Sequence, residues 1–220
     1  MAFKAVIFDL DGTLADTLED IADTLNRSLA ANGFPTHHYD ACRFFVGNGL
    51  ENLVAKSLPE AARTEAVIHA CHAQVVADYA QHYINKTRLY DGIPALLDGL
   101  SQAGFKMAVL SNKADAITQK ICGDLLQRWH FEIILGAGDR FPRKPDPQAA
   151  LFLAEEMKAT PAEVLYLGDS DVDMHTAIAA GFYPVGAGWG FRPVEELLNS
   201  GARKIIQHPT ELLGYHSITN

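Results

Sequence analysis

The chain has 220 residues and a mass of 24.0 kDa, enough for one buried core with a smaller unit beside it. Its 48% hydrophobic content is that of a globular protein, no apolar run approaches the roughly 18 residues that span a bilayer, and Met1-Ala2-Phe3-Lys4 leads straight into a strand, so the expectation is a cytoplasmic chain without a membrane partner. A net charge of −9 without a basic cluster argues against nucleic acid, and the separated Cys42, Cys71 and Cys122 offer neither a disulfide framework nor a Cys-x-x-Cys site.

Ala5-Val6-Ile7-Phe8 is a continuous apolar run of the kind buried on both faces of a parallel sheet, and it predicts a strand over 3–10. Asp16-Thr17 reads as a helix start, with Leu18, Ile21, Leu25 and Leu29 at helical spacing as far as Asn32-Gly33. From there to about residue 88 no strand is legible; 49–58 and 59–85 read as helices, the second carrying Val67, Cys71, Val75, Tyr79 and Tyr83 at every fourth position. Tyr90-Asp91-Gly92 opens a different pattern. A helix over 93–103 precedes a strand over 105–110, then comes a helix with Ile117, Ile121, Leu125 and Trp129 on one stripe, and strands follow over 131–135, 164–167, 183–187 and near 204–206. This alternation implies an α/β fold, a doubly wound parallel sheet: a core of residues 1–15 and 90–220 interrupted by an all-helical insert of residues 16–89.

Asp9 and Asp11 fall at the carboxyl end of the first strand, where open α/β sheets bind ligands. A carboxylate there can attack phosphorus and split one hard hydrolysis into two easier steps while its neighbour manages the proton. Gly12 lets the turn approach a phosphate closely, and the N–H groups around Gly12 and Thr13 can cradle it. A calcium loop starting at Asp9 would need glutamate at its twelfth position, which is Asp20. Other polar groups also follow strands. Ser111-Asn112 offers donors to a phosphate oxygen, although alone the pair reads as a helix cap. In Arg143-Lys144-Pro145-Asp146-Pro147 two prolines stiffen a loop that aims an ammonium. Asp169, Asp171 and Asp173 crowd one strand end and call for a hard divalent cation.

Asp9-Leu10-Asp11-Gly12-Thr13, Ser111, Lys144 and Gly168-Asp169-Ser170-x-x-Asp173, in this order, resemble the four motifs of the haloacid dehalogenase superfamily of aspartate-nucleophile phosphatases. The likeness covers nearly the whole chain, and the helical insert resembles the small cap of the subclass containing phosphoglycolate phosphatases. The resemblance implies Asp9 as nucleophile, Asp11 as general acid and base, and Ser111, Asn112 and Lys144 as phosphoryl-binding groups. It implies Mg²⁺ held by Asp9, the Asp11 main-chain carbonyl and Asp169, with Asp173 fixing the outer shell. Asp171 and His175 receive no role and are expected on the exposed side of the following helix.

Val46-Gly47-Asn48-Gly49 resembles the substrate-specificity loop of that subclass, with Asn48 and Arg43 as candidate contacts to a carboxylate-bearing substrate, 2-phosphoglycolate first. A sugar phosphate, pyrophosphate and a catalytically idle binding protein remain open alternatives, and the expected assembly is a monomer or weak homodimer. His69 and His72 read as a solvated face, because nothing acidic or thiolate completes a metal site there. The hinges of a moving cap are expected near Ala15-Asp16 and Leu89-Tyr90.

Overall fold

The computed structural model describes residues 3–217; Met1, Ala2 and residues 218–220, parts of the expected core and chain start, lie outside them. Ala5–Phe8 forms β1, wholly buried, with both edges paired. Its residues alternate between two apolar clusters: Val6 and Phe8 enter one, Ala5 and Ile7 the other. The run reads as continuously apolar because helices cover both faces.

In chain order the remaining strands are β2 (Ala15–Asp16), β3 (Arg88–Leu89), β4 (Lys106–Ala114), β5 (Ile133–Ala137), β6 (Val164–Gly168), β7 (Tyr183–Ala187) and β8 (Lys204–Ile206). The main sheet has the order β5-β4-β1-β6-β7-β8 and every pair is parallel. Chain order reverses beside β1, so the crevice beyond its carboxyl end is the natural ligand site of the fold. The helices are α1 (Leu18–Ala31), α2 (Tyr39–Cys42), α3 (Leu50–Ser57), α4 (Glu65–His82), α5 (Ile93–Gln102), α6 (Asp115–Leu125), α7 (Gln148–Glu156), α8 (Asp171–Ala179) and α9 (Val194–Asn199). Buried residues of α5 and α6 join one face of the sheet, and those of α7 and α8 the other. The parallel sheet with flanking helices is thus as expected.

α1 to α4 lie between β2 and β3, with α1 packed on α2 and α4, and α3 on α4. Ile21, Leu25 and Leu29 of α1 are buried at helical spacing, each contributing about 1.5–3 kcal/mol. The same apolar cluster runs through Val75 and Tyr79 of α4 to Phe8 and Ile117, so the helical layer and the sheet share a core.

The short antiparallel ladder of β2 and β3 has no counterpart in the sequence reading; it pairs Ala15 with Leu89 and Asp16 with Arg88. Two residues per strand are too few for a period to be read. The ladder ties together the two chain positions expected as hinges. Asp20 of α1 reinforces it, accepting from the N–H groups of Lys86 and Thr87 and from the Thr87 hydroxyl.

Other boundaries move. The expected helix over 59–85 is a 3₁₀ turn, Glu60–Ala62, followed by α4, because Thr64 caps α4 by accepting from the Val67 N–H. β4 continues past Leu110 to Ala114 through an irregularity in its pairing with β5. α6 stops at Leu125, leaving Trp129 to donate its indole N–H to Asp98 at 2.7 Å. α7 and α2 were not legible as separate elements.

Candidate active site

Asp9 follows β1, Ser111 lies in the irregular end of β4, and Asp169 follows β6, so the parallel sheet delivers all of them to one edge. Lys144, from the loop between β5 and α7, reaches the same place. Its ammonium donates to Asp9 Oδ1 at 2.8 Å and Asp173 Oδ1 at 2.7 Å, with all three side chains buried. Carboxylate oxygens of Asp9, Asp169 and Asp173 lie within 4.8 Å of one another.

Charge counting explains the arrangement. Asp9, Asp11, Asp169 and Asp173 face two buried ammoniums, Lys113 and Lys144, which leaves an excess of two negative charges when all are ionised. Burial first, then the Asp173 carboxylate, pushes the Asp9 carboxyl from 3.8 up to about 7 against the opposing pull of Lys144. Asp169 is raised for the same reasons, burial followed by the charge of Asp9. Burial opposes the charged form of Lys144, but Asp173 and Asp9 outweigh it and hold the ammonium well above the usual lysine range.

Asp169 is clasped on two sides. Gly12 has φ +85, and a Cβ there would lie 2.2 Å from Asp169 Oδ2; one at Gly190 would lie 2.2 Å from Asp169 Cβ. Thr13 Oγ1 and the Phe191 N–H donate to its two oxygens. Gly12 and Thr13 therefore do not form the expected phosphate cradle. Their N–H groups close the turn instead, Gly12 donating to Ala15 O and Thr13 to Leu10 O.

Asp173 is surrounded by donors. Its oxygens accept from Lys144, the Tyr166 hydroxyl, and the Ser170 N–H and Oγ, which leaves little coordinating capacity. Asp9 Oδ2, by contrast, accepts no hydrogen bond among the described residues. Asp171 is half-buried at the start of α8, and His175, one turn further along the same helix, is exposed.

Asp11 is oriented by residues that the sequence reading passed over. Thr17, the residue before α1, gives its hydroxyl to Asp11 Oδ1 at 2.6 Å instead of capping its helix. Lys113 Nζ lies 3.0 Å from Asp11 Oδ2 and donates to the Tyr79 hydroxyl of α4 at 3.1 Å. Burial opposes the Lys113 charge, yet Asp11 and Tyr79 raise it above its ordinary value; the Tyr79 phenol is pushed up by burial to about 12. No sequence pattern marked Lys113, because the strand reads as ending at Leu110 and its continuation to Ala114 is irregular.

A cleft of about 230 Å³ opens over these groups, walled on the sheet side by Asp9, Ser111 and Lys144 and on the helical side by Val46, Leu50 and Val76. His72 lines it too, so the expected solvated face is half in the cleft. The Ser111 hydroxyl keeps its own proton free for a ligand, its Oγ accepting from the Lys113 N–H. The side chain of Asn112 is not free for the expected phosphoryl contact. Its amide donates to Gly47 O and Lys144 O and accepts from the Lys144 N–H, bracing the lysine loop against the loop before α3.

Arg43 and Asn48 also depart from expectation, for neither lines the cleft. Arg43 donates to the carbonyls of Phe191 and Gly190, which need donors in the turn after β7. Gly49, not Asn48, precedes α3 as its cap. Two arginines that the sequence reading did not single out do line the cleft, Arg143 and Arg192.

The sequence model of the haloacid dehalogenase-like hydrolase family matches residues 6–187. The chain belongs to this family. A phosphoglycolate phosphatase of Aquifex aeolicus is 33% identical over 86% of this chain and 86% of its own length. One of Thiobacillus denitrificans is 35% identical over 90% of this chain and 89% of its own. A crystal structure from Lactobacillus delbrueckii subsp. bulgaricus, 27% identical, superposes with a TM-score of 0.93 over 99% of this chain and 100% of that one. The protein is thus a haloacid dehalogenase-type phosphatase. Phosphatases of this family generally use a divalent metal ion, and an all-oxygen donor set with two unmatched negative charges fits a hard divalent cation.

Proposed function

We propose that this phosphatase hydrolyses 2-phosphoglycolate with Mg²⁺, through an aspartyl-phosphate formed on Asp9. The observation that carries the reading is the pairing of Asp9 with Lys144 and Asp169 beneath a cleft of about 230 Å³, smaller than the roughly 300–1,000 Å³ of pockets for larger ligands. The substrate named for the similar proteins of Aquifex aeolicus and Thiobacillus denitrificans supports the choice among small esters.

Mg²⁺ would be held by Asp9, Asp169 and the Asp11 main-chain carbonyl, with Asp173 behind them, and supplies charge that offsets the repulsion between carboxylate and phosphate, several kcal/mol at about 4 Å in an effective dielectric near 20. Lys144 and Ser111 orient the phosphoryl oxygens. An Asp9 oxygen attacks phosphorus, the ester P–O bond breaks, and the leaving oxygen takes a proton from Asp11. Asp11, now ionised, takes a proton from water as the water attacks the phosphorus of the aspartyl-phosphate. The P–O bond to Asp9 breaks, and inorganic phosphate leaves. Residues 16–89 act as the moving cap, hinged where β2 pairs with β3, and exclude water from the first step.

Phosphate release from 2-phosphoglycolate, ethyl phosphate, a hexose phosphate and pyrophosphate tests the reading. The expected result is the highest kcat/KM for 2-phosphoglycolate. A higher value for any of the others rejects the substrate, and no release from all four rejects the enzyme.

Metal binding has a pH signature. The Asp9 carboxyl, raised from 3.8 to about 7, ionises less readily in the fold than in the unfolded chain, so without metal the folded state loses stability as pH rises through that window. Mg²⁺ needs the ionised form. Saturating Mg²⁺ therefore raises Tm more at pH 8 than at pH 5, as thermal melts will measure; equal increments would contradict the assignment.

A further inference from the structure

We infer that Arg143 reads the carboxylate of the substrate and so sets selectivity for short phosphorylated acids, an inference that rests on the phosphatase reading above. The first ground is availability. Lys113, Lys144, Arg143 and Arg192 are the Lys and Arg side chains lining the cleft among the described residues. Lys144 is committed to Asp9 and Asp173, and Lys113 to Asp11 and Tyr79. Arg192 donates to the carbonyls of Arg43, Phe44 and Val46 and pairs with Glu196 at 3.5 Å. Arg143 alone has no side-chain hydrogen bond or ion pair among the described residues, so a ligand anion meets an uncommitted guanidinium.

Placement is the second ground. The Arg143 head group lies against Gly49 at the entry to α3, where a Cβ would sit 3.3 Å from its central carbon and from one of its nitrogens. Gly49 has φ +84, so the backbone there also favours glycine. A guanidinium from the sheet side thus rests on the helical side, across the mouth of the cleft. Arg143 is also the chain neighbour of Lys144, about 3.8 Å away at Cα. Phosphoryl and tail recognition are one residue apart, which suits an anion only a few bonds from phosphorus. Asn112 holds that spacing by gripping Lys144 through both its N–H and its carbonyl while reaching Gly47.

Chemistry is the third. A guanidinium fork takes a carboxylate by two parallel hydrogen bonds, which an ammonium does not reproduce. The opposing group is Glu51, exposed in the first turn of α3 and also lining the cleft. It forms no ion pair among the described residues, and it would favour a cationic tail if it, rather than Arg143, governed the site.

The test is the ratio of kcat/KM for 2-phosphoglycolate to that for ethyl phosphate, measured in the wild type, Arg143→Gln and Arg143→Lys, with phosphoethanolamine as a third substrate. Wild type should prefer the acid. Arg143→Gln should lower the ratio about 10- to 100-fold, mainly through KM for the acid, and Arg143→Lys should restore part of it. A ratio within about threefold of wild type in Arg143→Gln, in an enzyme that still prefers the acid, overturns the role of Arg143 and leaves the substrate standing. Wild-type preference for ethyl phosphate or phosphoethanolamine overturns both.

Discussion

Asp9→Asn lowers kcat by roughly 10³-fold or more while leaving a folded protein that binds product phosphate. The side chain stands directly after β1, one of its oxygens accepts no hydrogen bond among the described residues, and Lys144 fixes the other at 2.8 Å. An amide of the same shape lacks the nucleophilic oxygen, so no aspartyl-phosphate forms. Stability should move the opposite way. Burial and Asp173 make the ionised Asp9 costly above about pH 7, so a neutral isostere raises the Tm of the metal-free protein at pH 8. Single-turnover assays with rapid quenching will detect the acyl-phosphate in wild type and not in the variant. Turnover within tenfold of wild type would remove Asp9 from its role.

Lys144→Met should damage catalysis and the fold together. The ammonium lies between Asp9 and Asp173, and Asp173 is fully buried. Removing the cation leaves two carboxylates facing each other with no counter-charge between them, a loss of about 3–5 kcal/mol that corresponds to a Tm lower by roughly 10 °C. kcat falls by roughly 10²-fold or more, because a cation beside the transferring phosphoryl group is lost. Thermal melts at pH 8 and phosphate-release assays at saturating substrate check the two effects. A double-mutant cycle with Asp173→Asn separates the pair from the catalytic role: the combined loss of Tm should be smaller than the sum. An unchanged Tm in Lys144→Met would show that the carboxylates find compensation elsewhere.

Asp9 and Asp169 were legible as candidates because each stands next to a strand whose apolar run is unambiguous. Asp9 follows Ala5-Val6-Ile7-Phe8, and Asp169 follows the run that forms β6, so a parallel sheet had to collect them at one edge. Partners brought in from afar were not legible. Thr17 looked like a helix cap and gives its hydroxyl to Asp11, because the turn from Leu10 to Ala15 folds the start of α1 back over the site. Asn112 looked like a phosphate donor, and Arg43 like a carboxylate contact. Both are spent on backbone carbonyls that need donors between the helical layer and the sheet.

What the sequence by itself determined is the alternation of buried strands and helices, and with it the sheet and the order in which its acids and lysine arrive. Periodicity and chain order are local properties, and a parallel sheet with helices on both faces is the solution that buries them. Only the tertiary structure decided which cations are spent and which are free. Lys113, Lys144, Arg143 and Arg192 look alike in one dimension, and what separates them is the partner each meets across long stretches of chain: Asp11 for Lys113, Asp9 for Lys144, the carbonyls before α3 for Arg192, and for Arg143 the open cleft.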